Sequence, residues 1–594
     1  MSFAAHTDDL RHALNEIAGF GDLVDGGVFA DLSRDVVDAV LDEAGRFAAE
    51  VVAPLNRTGD IEGARLADGR VTTASGWREA YARWVEAGWG ALPCRAEYGG
   101  QGLPISLGLA VQELWNSASS AFGIGTLLTQ GAVETIAAHG TDDLKERYLP
   151  KLVSGEWMGT MNLTEPQAGS DLNAVRMRAE RQPDGTYRLF GSKIFITYGD
   201  HDLTDNIIHL VLARLPDAPA GTRGLSLFLV PKVLVNDDGS PGARNDVKTA
   251  GLEHKLGIHG SPTCTLAYGE DGGAVGWLVG EENRGLACMF TMMNNARLHV
   301  GMQGVAIAER AWQQALAYAR DRRQGSRPGA DGMVAIVEHP DVRRMLWSMK
   351  SLTAAARAVC FTTARALDLA RHGRDDAERT ANEALANLLT PVAKAFGTDV
   401  GVEVASLGVQ VHGGMGYIEE TGAAQHYRDA RITPIYEGTN GIQAIDLVTR
   451  KLPLAGGEVV RGQIAGLRRT AERIAASNDP AFGRTAERLA EAIDALDEAT
   501  GWLLASLDDN RDGALAGATP YLRLFGLATG GAAMADGALK ASQRAGGRAS
   551  GAEAARVMLS RYFAENHLPQ AKGLAVVVCS GADAVAPIPD ELAG

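Results

Sequence analysis

One block of this chain reads differently from everything around it. Between about residues 159 and 280 the sequence breaks into short β-type runs at 187–190, 193–197, 207–213 and 225–230, with Pro183-Asp184-Gly185 as a hairpin turn. Both flanks carry helical spacing instead. On the N-terminal side Val36, Val40, Ala44 and Phe47 recur at four- and three-residue steps, with Asp31 or Ser33 placed to cap the helix. On the C-terminal side Met292, Ala296, Val300, Ile307, Ala311, Ala315 and Tyr318 keep that spacing over a span too long for an ordinary surface helix. A second helical span runs to about Leu452, and Pro453-Leu454-Ala455-Gly456-Gly457 then reads as a linker. Beyond it the apolar rows Ile464, Leu467, Ala471, Ile474 and Leu489, Ile493, Leu496, Leu503 mark further amphipathic helices, with Asp479-Pro480 as a cap and first-turn pair. The expected organisation is an N-terminal extension at 1–30, a helical domain at 31–157, a β domain at 158–280, a helical domain at 281–452 and an additional helical domain at 453–594. A chain of 594 residues is too long for a single core, and several lobes agree with that limit.

Composition narrows the function classes. Lys and Arg total 57 against 73 Asp and Glu, a net charge of −16, so nonspecific binding to nucleic acid is disfavoured. No apolar run approaches the roughly 20 residues a spanning helix needs, and the first ten residues carry no secretory pattern. The cysteines Cys94, Cys264, Cys288, Cys360 and Cys579 are scattered without a CxxC pair, which disfavours a disulfide framework or a metal site and fits a reducing cytoplasm. Glycine, at 71 residues, is in excess. Either the chain is loose or its backbone must approach a ligand closely at many points.

Three segments are dense in chemistry-bearing residues. Leu163-Thr164-Glu165-Pro166-Gln167-Ala168-Gly169-Ser170-Asp171 packs hydroxyls, a proline and a glycine at the entry to the β domain, which exposes backbone N–H groups or simply makes a turn. Gln410-Val411-His412-Gly413-Gly414-Met415-Gly416-Tyr417 has three glycines in four residues, but it follows no strand and is not GxGxxG. Arg428-Asp429-Ala430-Arg431 leads through residues 432–436 to Glu437-Gly438-Thr439-Asn440-Gly441. There one carboxylate among apolar neighbours is a candidate general base, its pKa raised by desolvation.

Together these segments resemble the acyl-CoA dehydrogenase family. Also in order are Lys193-Ile194-Phe195-Ile196-Thr197, Lys255-Leu256-Gly257-Ile258-His259-Gly260-Ser261, Asn295-Ala296-Arg297 and Tyr318-Ala319-Arg320-Asp321-Arg322. The match spans about residues 31–451. The resemblance implies an α+β fold: an N-terminal helical domain, a middle β barrel and a C-terminal four-helix bundle, with FAD between barrel and bundle. Carried over residue by residue, the flavin contacts are Met161, Leu163, Thr164, Ser170, Phe195, Thr197 and Thr439. Arg322, Gln410, Gly413 and Gly414 reach the FAD of a neighbouring subunit, which implies a homo-oligomer, at least a dimer. Ser170, Asn294, Arg297 and Gly438 are the implied substrate contacts, and no metal is implied.

Glu437 is the implied catalytic base. The family's other base position, just before the arginine that opens the long helix, is here Ala296, which cannot take a proton. The sequence departs from the family at Phe195, where Trp is commoner, at Gly441, at Asn294 and at Gln425. The 453–594 extension resembles the long dimeric branch, which includes very-long-chain enzymes, oxidases and bacterial enzymes of the 3-methylmercaptopropionyl-CoA dehydrogenase type. The implied activity is α,β-dehydrogenation of an acyl-CoA thioester, with electrons passed to electron-transferring flavoprotein. The alternatives are an acyl-CoA oxidase using O₂ and, from another class, a DNA-associated alkylation-response flavoprotein. The third would need a basic face, but Arg461, Arg468, Arg469, Arg473, Arg484 and Arg488 interleave with Glu and Ala. Trp115, Phe122 and Met292 are candidate acyl-pocket residues, with core packing as their default role.

Overall fold

The computed structural model describes residues 3–29, 32–329, 331–544, 546, 551–581, 584–585, 588 and 592. Helices α1 (Thr7–His12) and α2 (Phe20–Asp25) come first. The first helical domain holds α3 (Arg34–Phe47), α4 (Ala53–Glu62), α5 (Trp77–Glu86), α6 (Ile105–Ala118), α7 (Ser120–His139) and α8 (Asp142–Ser154), with the small hairpin β1 (Arg65–Ala67) and β2 (Arg70–Thr72). Ser33 does cap α3, its hydroxyl accepting from the Val36 N–H at 3.3 Å, while Asp31 lies outside the described residues. The buried seam of α3 is Val37, Leu41, Ala44 and Phe47; Val36 is exposed, so the expected apolar row is one residue out of phase at its start. Trp115 stacks edge-on against Phe47 and Trp89, Phe122 against Trp77, and Met292 lies against Gly131, so all three are core residues.

The β domain contains β3 (Met158–Asn162), β4 (Arg178–Arg181), β5 (Tyr187–Thr197), β6 (Ile207–Arg214), β7 (Leu225–Pro231), β8 (Val233–Val235), β9 (Pro241–Arg244), β10 (Val247–Leu252), β11 (Thr263–Tyr268) and β12 (Ala274–Val279). Its main sheet runs β10-β11-β5-β12-β7-β6-β3, and β4 pairs with both β5 and β6 to close the ring. The two expected runs at 187–190 and 193–197 are one strand. Its first half pairs with β4 and β12, its second half with β11. The hairpin at Pro183-Asp184-Gly185 is formed, with the Asp184 carboxylate accepting from the Thr186 N–H at 3.0 Å.

The second helical domain is built on three long helices, α9 (Gly285–Asp321), α10 (Pro340–His372) and α11 (Asp376–His412), with the short α12 (Ala423–Ala430) and α13 (Asn440–Asp446) against them. Glycines decide how closely α9 and α11 cross. A Cβ on Gly301 would lie 2.4 Å from the Ala393 carbonyl oxygen, and one on Gly304 would lie 2.2 Å from that of Gly397. A Cβ on Gly397 would in turn lie 2.5 Å from the Gly301 oxygen. The backbones therefore touch; Lys394 at the crossing and Arg297 one turn before it both reach Gly438. Residues 454–457 make a kinked turn before α14 (Glu458–Ser477), α15 (Thr485–Asp509), α16 (Arg511–Ala516), α17 (Ala518–Arg544), α18 (Ala552–Asn566) and α19 (Gln570–Ser580). Asp479 caps a short turn at Pro480–Phe482 rather than α15 itself. Among the described residues no helix is long and apolar enough to cross a membrane, and no cluster of potential ligands could hold a metal ion.

Candidate active site

Residues 431–439 form the loop between α12 and α13, and Glu437 sits at its tip with φ of 58° in the left-handed region. Such backbone is strained for a residue with a Cβ and persists only where neighbours fix it. Several fixings are visible. The Asn440 N–H donates to the Pro434 carbonyl at 2.9 Å and closes the loop. Gly438 follows with φ of 83°, backbone that favours glycine, and a Cβ there would sit 2.6 Å from the Gln443 amide. Thr439 caps α13, its hydroxyl accepting from the Ile442 N–H at 3.2 Å and keeping its own hydrogen free to donate. The Tyr436 hydroxyl donates to Gln303 of α9, and Gln303 donates to Asn116 of α6 at 3.2 Å.

The Glu437 carboxyl is half-buried, and burial pushes its pKa up to about 7, with Arg297 and Lys394 pulling the other way. Arg297 is buried, and its guanidinium donates to Asn294 at 3.3 Å and lies 5.8 Å from the Phe290 ring centre. Its Nε has no partner, which leaves a buried donor near Glu437. Ala296 is buried beside it and offers no proton acceptor. Two residues of this site escaped the sequence reading. Lys394, fully buried on α11, donates to the Gly438 carbonyl at 3.0 Å and to the Asn440 side-chain oxygen at 2.8 Å. Gln443 donates to the carbonyls of Glu437 and Gly438 at 3.5 and 3.3 Å. Lys394 had a legible signal, a lone cation inside the apolar run 388–396.

The other expected residues fall in two further places. Met161 lies on β3, and Leu163, Thr164 and Ser170 on the loop that leaves it. That loop is pinned by the buried Lys193–Glu165 ion pair at 2.8 Å, by a Lys193 bond to the Leu163 carbonyl at 2.8 Å, and by the Ile194 N–H on the Thr164 carbonyl at 2.9 Å. Phe195 lies on the adjoining strand, in an irregularity between Lys193 and Ile196 where φ reaches 60°, and its ring is 58% exposed. Thr197 closes that strand. Arg322 lies just past α9 and Gln410 on the last turn of α11, both exposed, and the stacking of Tyr318 on His412 at 4.4 Å ties the two helix ends together. Gly413 takes φ of 60°, and both Gly413 and Gly414 face open space. From Lys394 to Gln410 along α11 is roughly 24 Å at 1.5 Å per residue, so this end lies far from the chain's own Glu437.

Gln425, noted for its departure from the family, is buried and donates to the Asn56 carbonyl of α4 at 3.0 Å, an interdomain tie. A cavity of about 210 Å³ lies among α6, α7, α9, α10 and α11, lined by Gln130, Glu134, Asn294, Asn295 and His299 among others. Gln303, which meets Tyr436, is not among its lining residues on α9.

Family models match the chain in four consecutive pieces: acyl-CoA dehydrogenase N-terminal domain at 35–156, middle domain at 160–270, C-terminal domain at 283–452, and acetyl-CoA dehydrogenase C-terminal like at 464–589. The chain is 49% identical over 540 residues to a 3-methylmercaptopropionyl-CoA dehydrogenase of Ruegeria pomeroyi, covering 89% of this chain and 90% of that one. It is 37% identical to a butyryl-CoA dehydrogenase of Syntrophomonas wolfei, covering 82% of each. Its fold matches the crystal structure of an acyl-CoA dehydrogenase complexed with FAD from Bacillus anthracis with a TM-score of 0.74, at 22% identity over 95% of this chain and 90% of that chain.

Proposed function

The chain belongs to the acyl-CoA dehydrogenase family, an oxidoreductase family, and on that premise we propose that it converts an acyl-CoA thioester to the trans-2-enoyl-CoA with Glu437 as the base. The observation that carries this is the Glu437 carboxyl itself: half-buried, raised to about 7, and held on a strained turn between two cations. A base with a pKa near the working pH is both ionised enough to accept a proton and basic enough to want it. Glu437 takes the α-proton, the C–H electron pair becomes the new double bond, and the β-hydrogen leaves with its electrons. FAD, when bound, supplies the acceptor for that hydride.

The residues present fit such a cofactor. Phe195 offers an exposed aromatic face beside the Thr164 loop, and Gly413 and Gly414 leave backbone that a pyrophosphate can approach near Arg322. Because that second group lies far along α11 from the base, the reading includes a homodimer in which each chain completes its partner's cofactor site. On this reading the electrons that FAD would accept there go on to electron-transferring flavoprotein. The DNA-associated alternative loses support from the tail. Arg468 pairs with Asp494 and Asp497, Arg473 with Asp536, Arg484 with Glu487 and Arg488 with Glu491, so these charges are neutralised locally.

Glu437→Gln tests the reading directly. The purified variant should keep its yellow cofactor and show no bleaching when an acyl-CoA is added without oxygen; bleaching at the wild-type rate refutes Glu437 as the base. The thioester panel starts with 3-methylmercaptopropionyl-CoA and butyryl-CoA, the substrates in the names of the two relatives. Admitting air to the reduced wild-type enzyme separates slow from fast oxygen reaction, and so dehydrogenase from oxidase.

A further inference from the structure

Among the described residues two lysines have wholly buried side chains, and they are held in opposite ways. Lys193 forms a direct ion pair with Glu165 at 2.8 Å, the ordinary means of burying a charge. Lys394 has no carboxylate within 4.0 Å among the described residues. Its ammonium meets two neutral oxygens, the Gly438 carbonyl at 3.0 Å on the loop that carries Glu437 and the Asn440 amide at 2.8 Å at the start of α13. A buried ammonium without a counter-ion is expensive, and an apolar residue would fill the same helical position more cheaply.

We propose that Lys394 is a positioning residue for the base: it clamps the backbone on the C-terminal side of Glu437 in its left-handed turn and places a positive charge behind the carboxylate as the carboxylate forms. The proposal rests on Glu437 being the base. Its clamp is reinforced through Asn440, whose side-chain amide donates to the Ala395 carbonyl at 3.2 Å, to Thr398 at 2.9 Å and to Asp399 at 2.7 Å, so the loop is tied to α11 at successive points. The charges facing this pair come from every packed element. Arg297 of α9 acts on Glu437 in the same sense as Lys394. Asp399 on α11 acts on Lys394 in the opposite sense, and burial raises its own pKa. Tyr436 adjoins the base, Asp446 and Arg450 bear on Arg297, and Arg523 of α17 and Glu403 bear on Asp399. Burial lowers the Lys394 pKa to about 7, so the lysine and the base titrate in the same range and each favours the charged form of the other.

The test uses the FAD-loaded enzyme and three variants, Lys394→Gln, Lys394→Met and Glu437→Gln, with cofactor content and Tm measured for each. Lys394→Gln keeps a hydrogen-bond donor and removes the charge. It should hold its flavin and Tm, while the acidic limb of kcat/KM moves to higher pH by about one unit and flavin reduction at pH 7 slows about fivefold. Lys394→Met removes the clamp as well and should lower kcat further with a smaller effect on KM. An acidic limb that stays in place in Lys394→Gln overturns the proposal. So does loss of flavin and folding in both lysine variants, which would make Lys394 a packing residue only. Glu437→Gln separates the two readings: if it still reduces its flavin, the base assignment fails; if it is inert while the Lys394→Gln profile is unmoved, only the lysine proposal fails.

Discussion

Glu437 combines two unfavourable features, a left-handed backbone and a carboxyl partly removed from water. The first costs of order 1–3 kcal/mol in a residue with a side chain. The second makes its contribution to stability depend on pH. Its pKa rises from 4.5 to about 7 on folding, so the favourable state is the protonated one. That contribution is fully present below about 4.5 and is lost as pH rises through about 7. Glu437→Gln should therefore melt near the wild-type temperature around pH 5 and clearly above it at pH 8, by up to about 3 kcal/mol of stability. A Tm difference that fails to widen between those pH values would contradict the raised pKa. On the proposed reading catalysis runs in the opposite sense, because a base works deprotonated, and flavin reduction should speed up through the same range. Glu437 was legible in the sequence because its motif is local, a carboxylate set against glycine. Lys394 stood out only as a lone cation in an apolar run; its role was not legible, because its two partners lie 44 and 46 residues away along the chain, and nothing in a helical run announces which loop will close over it.

Elements show the same division between local and distant causes. Periodicity disclosed α9 and the tail helices, because the buried rows at Ile464, Leu467, Ile474 and Leu489, Ile493, Leu496 are spaced by the helix itself. It misplaced the start of the α3 seam, where the neighbours and not the repeat decide that Val37 is buried and Val36 exposed. Nor could it sort the helical glycines, which look alike in sequence. Gly304 and Gly397 hold α9 and α11 in backbone contact, whereas Gly501 on α15 is exposed and has nothing within 4 Å of an added Cβ. Gly304→Ala should force the helices apart, lower Tm by the equivalent of about 1–3 kcal/mol or more, and slow flavin reduction by moving Lys394 and Arg297 away from the loop. Gly501→Ala should raise Tm, since alanine is favoured over glycine in a helix by about 1 kcal/mol. Equal effects from the two substitutions would remove the close crossing as the reason for Gly304.

At the scale of the molecule, the order helical, β, helical, helical was readable because each texture is set within a few residues. What joins the lobes was not. The segment expected as a plain N-terminal extension is a strap between the bundle and the C-terminal helices. Asp9 of α1 pairs with Lys350 of α10 at 2.6 Å and with Arg556 of α18 at 2.5 Å; Lys350 in turn pairs with Glu309 at 2.9 Å, and Arg357 bridges Glu113 and Glu309 at 2.6 and 3.0 Å. His6 closes the cluster on Glu113 at 2.9 Å, and Lys540 of α17 donates to the Glu16 carbonyl at 3.2 Å. Burial opposes ionisation of Asp9, but Lys350, Arg556 and Arg357 overcome it and hold the carboxyl well below its usual range. Removing one partner from a buried cluster leaves the others uncompensated, which costs about 3–5 kcal/mol. Asp9→Asn should therefore loosen the docking of the C-terminal helices before the bundle melts. Urea unfolding should split into two transitions, and limited proteolysis should release fragments ending within 453–594. The exposed Arg371–Glu134 pair, at 3.3 Å, provides the contrast: Arg371→Gln should change stability by less than about 1 kcal/mol. If Asp9→Asn unfolds in one step at the wild-type midpoint, the strap is a passive attachment and the hydrophobic contacts of α17 hold the last domain in place alone.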